Sequence, residues 1–116
     1  MASAAAAGAE VLDRLFEVIE SRRGGDPARS YVARRLDQGT GKIAQKLGEE
    51  AVECVIAAIA GDRRAVIGES ADLLFHLMIL WADAGIAPGE VYGELARREG
   101  VSGLDEKRAR HVTGDE

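Results

Sequence analysis

Leu73-Leu74-Phe75-His76-Leu77-Met78-Ile79-Leu80-Trp81-Ala82 is apolar at every position except His76. Read at helical pitch, this stretch has no polar face, and a helix that is apolar all round has to be covered all round. The run is far shorter than the ~18–20 residues a membrane span needs. In a chain of 116 residues, few other elements exist to enclose it. Two arrangements would cover it: a monomeric bundle with this helix at its centre, or a symmetric dimer that buries it in a shared core. The dimer is the expectation, because three or four further helices hardly close every side of a central one.

The segments on either side also read as helices. Gly61-Asp62 supplies a stop and a new N-cap, so the apolar run belongs to a helix that begins just after it and ends at Gly85. Before that turn, Thr40 is the expected N-cap of a long helix from about Gly41 to Ala60. Its apolar face is read as Ala44, Leu47, Ala51, Cys54, Val55 and Ala58. Ser30 is expected to cap a short helix through Tyr31, Val32 and Leu36. The first amphipathic helix runs from about Glu10 to Arg22 and is closed by Gly24-Gly25-Asp26-Pro27. Pro88 opens a last helix to about Arg98. No stretch alternates as a strand would. The fold class is therefore all-α, four main helices plus one short helix, a bundle completed by homodimerisation.

Twenty acidic against fifteen basic side chains leave a net charge of −5. That balance speaks against a dedicated duplex-binding protein, so no nucleic-acid partner is expected. A single cysteine, Cys54, has no internal disulfide partner and suits a reducing cytoplasm. Met1 to Glu10 is mostly Ala, without the basic flank of a secretory signal, and no membrane partner is expected. The expected organisation is a disordered leader over 1–9, one domain over 10–110 and a loose tail over 111–116.

The chemistry sits on the two long helices. Glu49, Glu50 and Glu53 fall within an arc of roughly 100° on the first, and Glu69, Asp72 and His76 within ~60° on the second. Like charges at these spacings cost a few tenths of a kcal/mol per pair on an isolated helix, which a solvated surface could bear. A solvated surface does not explain why the second set leads directly into the most apolar stretch of the chain, since carboxylates near a buried helix need partners. Glu53 and Glu69 each lie about eight residues from the Gly61-Asp62 turn, so antiparallel packing brings the two sets level. A cluster of four or five carboxylates is a hard-oxygen site, suited to Mg²⁺ that completes its shell with substrate phosphates. Zn²⁺ would call for Cys or His ligands, and the two histidines lie far apart. Lys42 and Lys46 precede the cluster by one or two turns, where they either contact a bound polyphosphate or pair with Glu49 and Glu50. Gly48 and Gly68, each before a cluster glutamate, suggest close helix approach or room for a ligand.

The strings Lys42-Ile43-Ala44-Gln45-Lys46-Leu47-Gly48-Glu49-Glu50-Ala51-Val52-Glu53 and Glu69-Ser70-Ala71-Asp72-Leu73-Leu74-Phe75-His76 closely resemble the phosphoribosyl-ATP pyrophosphohydrolase family. That family belongs to the all-α NTP pyrophosphatases, whose signature is Glu-Glu-x-x-Glu followed by Glu-x-x-Asp. The likeness extends to Leu12–Arg23, to the Ser30-Tyr31 pair and to Ser102-Gly103-Leu104-Asp105-Glu106-Lys107. The resemblance implies hydrolysis of phosphoribosyl-ATP to phosphoribosyl-AMP and pyrophosphate, the second step of histidine biosynthesis, with Mg²⁺ as cofactor. It implies Glu50, Glu53, Glu69 and Asp72 as metal ligands, and Lys42 and Lys46 as phosphate-binding residues. Glu49 or Glu50 would take the proton of the attacking water. It also implies a homodimer or a related assembly of intertwined bundles.

Two other readings share the acidic motif. One is a housekeeping pyrophosphatase acting on non-standard or deoxynucleoside triphosphates, and the other a helical dimerisation module whose acidic face is merely solvated. His76 is expected to be a hydrogen-bonded core residue, and Cys54 inert packing. The paired arginines (22–23, 34–35, 63–64 and 97–98) are expected at solvated helix ends, with a grip on the ribose phosphate as the alternative.

Overall fold

The structure, a computed structural model, describes residues 7–100 and 107–108. Five helices follow in order: α1 (Val11–Ser21), α2 (Tyr31–Gln38), α3 (Thr40–Ala60), α4 (Arg63–Ala84) and α5 (Pro88–Arg98). Among the described residues there is no strand, so the all-α class with four main helices and one short one holds. The proposed leader and tail lie largely outside the described residues, as does the motif 102–106. Of the leader, 7–9 are exposed and lead into α1 through a turn in which Val11 N–H donates to the Gly8 carbonyl.

The central element is the α3–α4 hairpin, two long helices packed antiparallel across Gly61 and Asp62. Gly61 closes α3 at φ 70°, a left-handed conformation that suits a residue without Cβ. Asp62 then turns extended and its Oδ1 accepts from Ala65 N–H at 3.0 Å, capping α4. Helices α1 and α2 lie against one side of this hairpin. Their Ile19 and Val32 join Ile43 of α3 and Met78, Ile79 and Ala82 of α4 in one core, flanked by Leu12, Leu15, Phe16, Leu36 and Trp81. Arg23, at the end of α1, donates to the Ala82 carbonyl and so ties α1 to the far end of α4.

Two sequence expectations need correction. Thr40 does not cap α3. Gly39, at φ 90°, joins α2 directly to α3, and Thr40 is the first helical residue, with Oγ1 at 2.6 Å from Asp83 Oδ2 on α4. A one-residue junction leaves no room for an extended capping residue.

The face that α3 turns inward is also not the one read from its apolar residues. Ile43, Glu50 and Ala57 are its buried residues, with Leu47 and Cys54 half-buried between them. That spacing of four, three, four and three is a helical core stripe with a glutamate in one of its positions. Val52, Val55, Ile56 and Ile59 are left outside, Ile59 at 86 % exposure.

As expected for an apolar run in so short a chain, α4 is not covered all round by its own chain. Met78, Ile79 and Ala82 are buried, whereas Leu73, Leu77, Leu80 and Trp81 are half-buried and Leu74 and Ile67 exposed. By length and composition α4 could also span a membrane, but its flank carries Glu69 and Asp72 and it packs along α3. The whole measures 47 × 33 × 31 Å with a radius of gyration of 16.4 Å, against ~13 Å for a compact domain of this length.

The Asp62 cap gives a direct test of the hairpin. Asp62→Ala is expected to lower stability by about 1 kcal/mol in urea denaturation, while Asp62→Asn and Asp62→Ser retain most of it.

Candidate metal centre

Glu50 reaches the site from α3, and Glu69 and Asp72 from α4. One carboxylate oxygen from each lies within 4.8 Å of the others. Their surroundings grade from inside to outside: Glu50 is buried at 5 % exposure, Glu69 is half-buried and Asp72 is exposed. Glu53 stands one turn beyond Glu50, within hydrogen-bonding reach of Glu69. The structure thus brings together all four carboxylates expected as metal ligands, across the hairpin and level with one another.

Two oxygens of these residues, Glu50 Oε2 and Glu69 Oε2, are buried without a hydrogen-bond partner. A buried anionic oxygen without a donor is costly, and here two of them face a third carboxylate. Glu69 shows the strain: its partial burial, then the charge and hydrogen-bonding proximity of Glu53, then the charges of Asp72 and Glu50, hold its carboxyl above the ordinary range. A divalent cation of the Mg²⁺ type satisfies these oxygens and cancels the repulsion in one step. The donor set of carboxylates without Cys or His fits that ion.

Lys46 is the cation already present. Its Nζ lies 3.3 Å from Glu50 Oε1 and 3.7 Å from Glu49 Oε1. The bond to Glu50 is the main reason its ammonium is held above its ordinary pKa; burial opposes this, and the charges of Glu50, Tyr31 and Glu49 add to it. Lys46 engages Oε1 of Glu50, while Oε2 is buried without a partner. The ion-pairing reading of Lys46 is therefore realised in the ligand-free chain. Lys42 is exposed one turn earlier. Glu49 is exposed outside the three-oxygen cluster, and its Oε2 accepts from Gln45 Nε2 at 3.1 Å. An added Cβ at Gly48 or Gly68 would meet nothing within 4 Å, so neither marks close helix approach within the chain.

One feature escaped the sequence reading. His76 is buried at 7 % exposure, and its Nδ1 sits 2.7 Å from the Asp72 carbonyl, one turn back. A carbonyl only accepts, so Nδ1 carries the proton and Nε2 accepts from Tyr31 O–H, also at 2.7 Å. The imidazole meets the Tyr31 and Phe75 rings edge-on. The core-histidine expectation stands, but its partner comes from α2, a link that no spacing along the chain announces. Cys54 is half-buried with Sγ 3.7 Å from Ser70 Oγ, between the two hairpin helices.

The charge balance of the cluster has a measurable consequence. A carboxyl whose folded pKa is raised above 4.5 destabilises the fold when ionised, and that cost disappears as pH falls through the folded value. Metal-free Glu69→Gln is therefore expected to melt above the unsubstituted protein at about pH 8, with the gain vanishing toward about pH 4. Millimolar Mg²⁺ reverses the order by stabilising only the unsubstituted protein. Differential scanning calorimetry checks both, and a Glu69→Gln protein no more stable at the higher pH overturns the charge argument.

Residues 12–99 match the family described as Phosphoribosyl-ATP pyrophosphohydrolase. A phosphoribosyl-ATP pyrophosphatase of Azospirillum brasilense is 59 % identical over 102 residues, covering 88 % of this chain and 92 % of its own. One from Rhizorhabdus wittichii is 64 % identical over 99 residues, 85 % of this chain and 93 % of its own. Another from Parvibaculum lavamentivorans is 58 % identical over 105 residues, 90 % and 96 % of the two chains.

Proposed function

The chain belongs to the phosphoribosyl-ATP pyrophosphohydrolase family, and we propose that the α3–α4 carboxylates carry that activity by holding Mg²⁺ against the substrate's phosphates. The reaction is the family's: phosphoribosyl-ATP and water give phosphoribosyl-AMP and pyrophosphate, a step of histidine biosynthesis. Membership also decides between this pathway enzyme and the housekeeping pyrophosphatase that shares the acidic motif. The observation that carries the site is the convergence of Glu50, Glu69 and Asp72 oxygens within 4.8 Å, with an oxygen of Glu50 and one of Glu69 buried without a donor.

In this reading Glu50, Glu53, Glu69 and Asp72 hold the cation, and Mg²⁺ when bound supplies charge neutralisation at the phosphate oxygens. Lys46, flexible and half-buried at the edge of the cluster, and Lys42 beside it contribute positive charge for the polyphosphate. Water adds to phosphorus, the α–β anhydride bond breaks, and pyrophosphate departs. The proton of the attacking water passes to Glu49 or Glu50. Glu49 suits this role by lying outside the cluster, and Glu50 by its proximity to the reacting phosphates.

The assembly we propose is a homodimer. Val52, Val55, Ile56 and Ile59 on α3, with Ile67 and Leu74 on α4, form an exposed apolar surface on the hairpin, and apolar surface of this kind marks an interface. Ile56 and Ile67 lie at matching distances from the Gly61-Asp62 turn. A second hairpin laid on this surface would complete the cover that α4 lacks in the single chain. A cytoplasmic location agrees with the lone Cys54.

Pyrophosphate release with Mg²⁺ is expected to be far faster on phosphoribosyl-ATP than on ATP, dUTP or dCTP. Glu53→Gln and Asp72→Asn should each lower turnover at least about 100-fold while keeping the helical circular-dichroism spectrum. Full activity in either variant overturns the ligand assignment. Light scattering is expected to give twice the chain mass, and Val55→Glu with Ile59→Glu to give monomers.

A further inference from the structure

We infer that the cleft between the end of α1 and the start of α2 is the subsite for the phosphoribosyl phosphate of the substrate, with Arg22 as the residue that reads it. This rests on phosphoribosyl-ATP being the substrate. That molecule differs from ATP by one sugar and one phosphate dianion, attached at the end of the nucleotide remote from the triphosphate. Selective recognition therefore needs a second cationic position away from the carboxylate cluster, with room for a pentose phosphate.

The α1–α2 cleft provides both. It has a volume of about 570 Å³, and Arg22, Asp26, Arg29, Ser30 and Tyr31 are among the residues lining it, with Asp26 offset by Arg29 at 3.8 Å, so that Arg22 leaves the cleft net cationic. Two other clefts among the described residues are smaller, at about 210 and 160 Å³. One of them offers Glu20 among apolar groups, and the other sets Asp37 beside an Arg23 that already binds Glu20 and the Ala82 carbonyl.

The arginines near these clefts and helix ends point to the same place, Arg14 lying midway along α1 and lining none of the three clefts. Arg34 donates to the Pro27 carbonyl, and Arg35 lies over the Tyr31 ring and bonds Gln38. Arg98 and Arg97 pair with Glu94, while Arg63 and Arg64 sit beside the hairpin turn. Arg29 points mostly into solvent, 3.8 Å from Asp26. The Arg22 guanidinium has no carboxylate partner among the described residues.

Ser30 adds a donor. Its Oγ accepts from Ala33 N–H at 3.1 Å, which leaves its own proton for an acceptor in the cleft.

Tyr31 joins this cleft to the metal centre. It lines the cleft, and its hydroxyl is fixed on His76, whose other nitrogen is fixed on the Asp72 carbonyl. A substrate with its triphosphate at the carboxylates and its second phosphate in the cleft crosses Tyr31 on the way. One rigid chain of hydrogen bonds thereby sets the spacing between the two phosphate positions.

The test is Arg22→Gln, an exposed substitution that leaves the core intact, with Arg22→Lys as the charge-retaining control. Steady-state kinetics on phosphoribosyl-ATP should show KM raised ten- to hundredfold in Arg22→Gln with kcat within about twofold, and a smaller rise in Arg22→Lys. Ribose 5-phosphate should inhibit the unsubstituted enzyme competitively and the Gln variant at least tenfold more weakly, while the Mg²⁺-induced thermal shift is the same in both. An unchanged KM, or an equal fall in kcat with KM unmoved, overturns the subsite while leaving the activity in place. An unsubstituted enzyme that releases no pyrophosphate from phosphoribosyl-ATP removes the premise and the proposal together.

Discussion

The rest of the structure depends on a repulsion: four carboxylates face one another across a helical hairpin, and two of their oxygens are buried without donors. Folding alone gains nothing from such an arrangement. The hydrophobic core holds it in place, since Ile43 and Ala57 on α3 and Met78, Ile79 and Ala82 on α4 fix the helices that carry the acids. Glu50 sits in the same stripe as these apolar residues, so the register that packs the core also drives a glutamate inside. The core thus holds the carboxylates under strain, which the proposed cation would relieve.

Lys46 moderates this strain without abolishing it. One ammonium between Glu49 and Glu50 offsets part of the negative charge and orients the Glu50 carboxylate. Because it reaches only Oε1 of Glu50, the other oxygen stays available. A second basic residue closer in would satisfy the cluster and compete with the metal. The arginines are spread elsewhere: on helix ends, on the Tyr31 ring and in the α1–α2 cleft.

Much of this was legible in the sequence because it is local. Helix boundaries followed from Gly61, Asp62, Gly85 and Pro88, whose backbone preferences act over one or two residues. The level pairing of Glu53 and Glu69 followed from counting away from one short turn. What failed depended on rotation or distance. The inner face of α3 could not be read from its apolar residues, because a second apolar stripe of Val52, Val55, Ile56 and Ile59 competes with the true core positions. Thr40 looked like a cap until Gly39 joined two helices without a spacer. The Tyr31–His76 bond links α2 to α4, and no periodicity encodes a contact of that range.

The hairpin has one more consequence, for how the protein reaches its folded state. Glu50, Glu53, Glu69 and Asp72 all lie on α3 and α4, joined by a short turn, so bringing them together closes only a small loop. Contacts of low sequence separation form quickly, and this pair can zip from its capped turn before α1, α2 and α5 have docked. Low contact separation therefore places the carboxylate cluster among the first tertiary structure expected on the pathway. A newly made chain can assemble that cluster before the cleft between α1 and α2 exists.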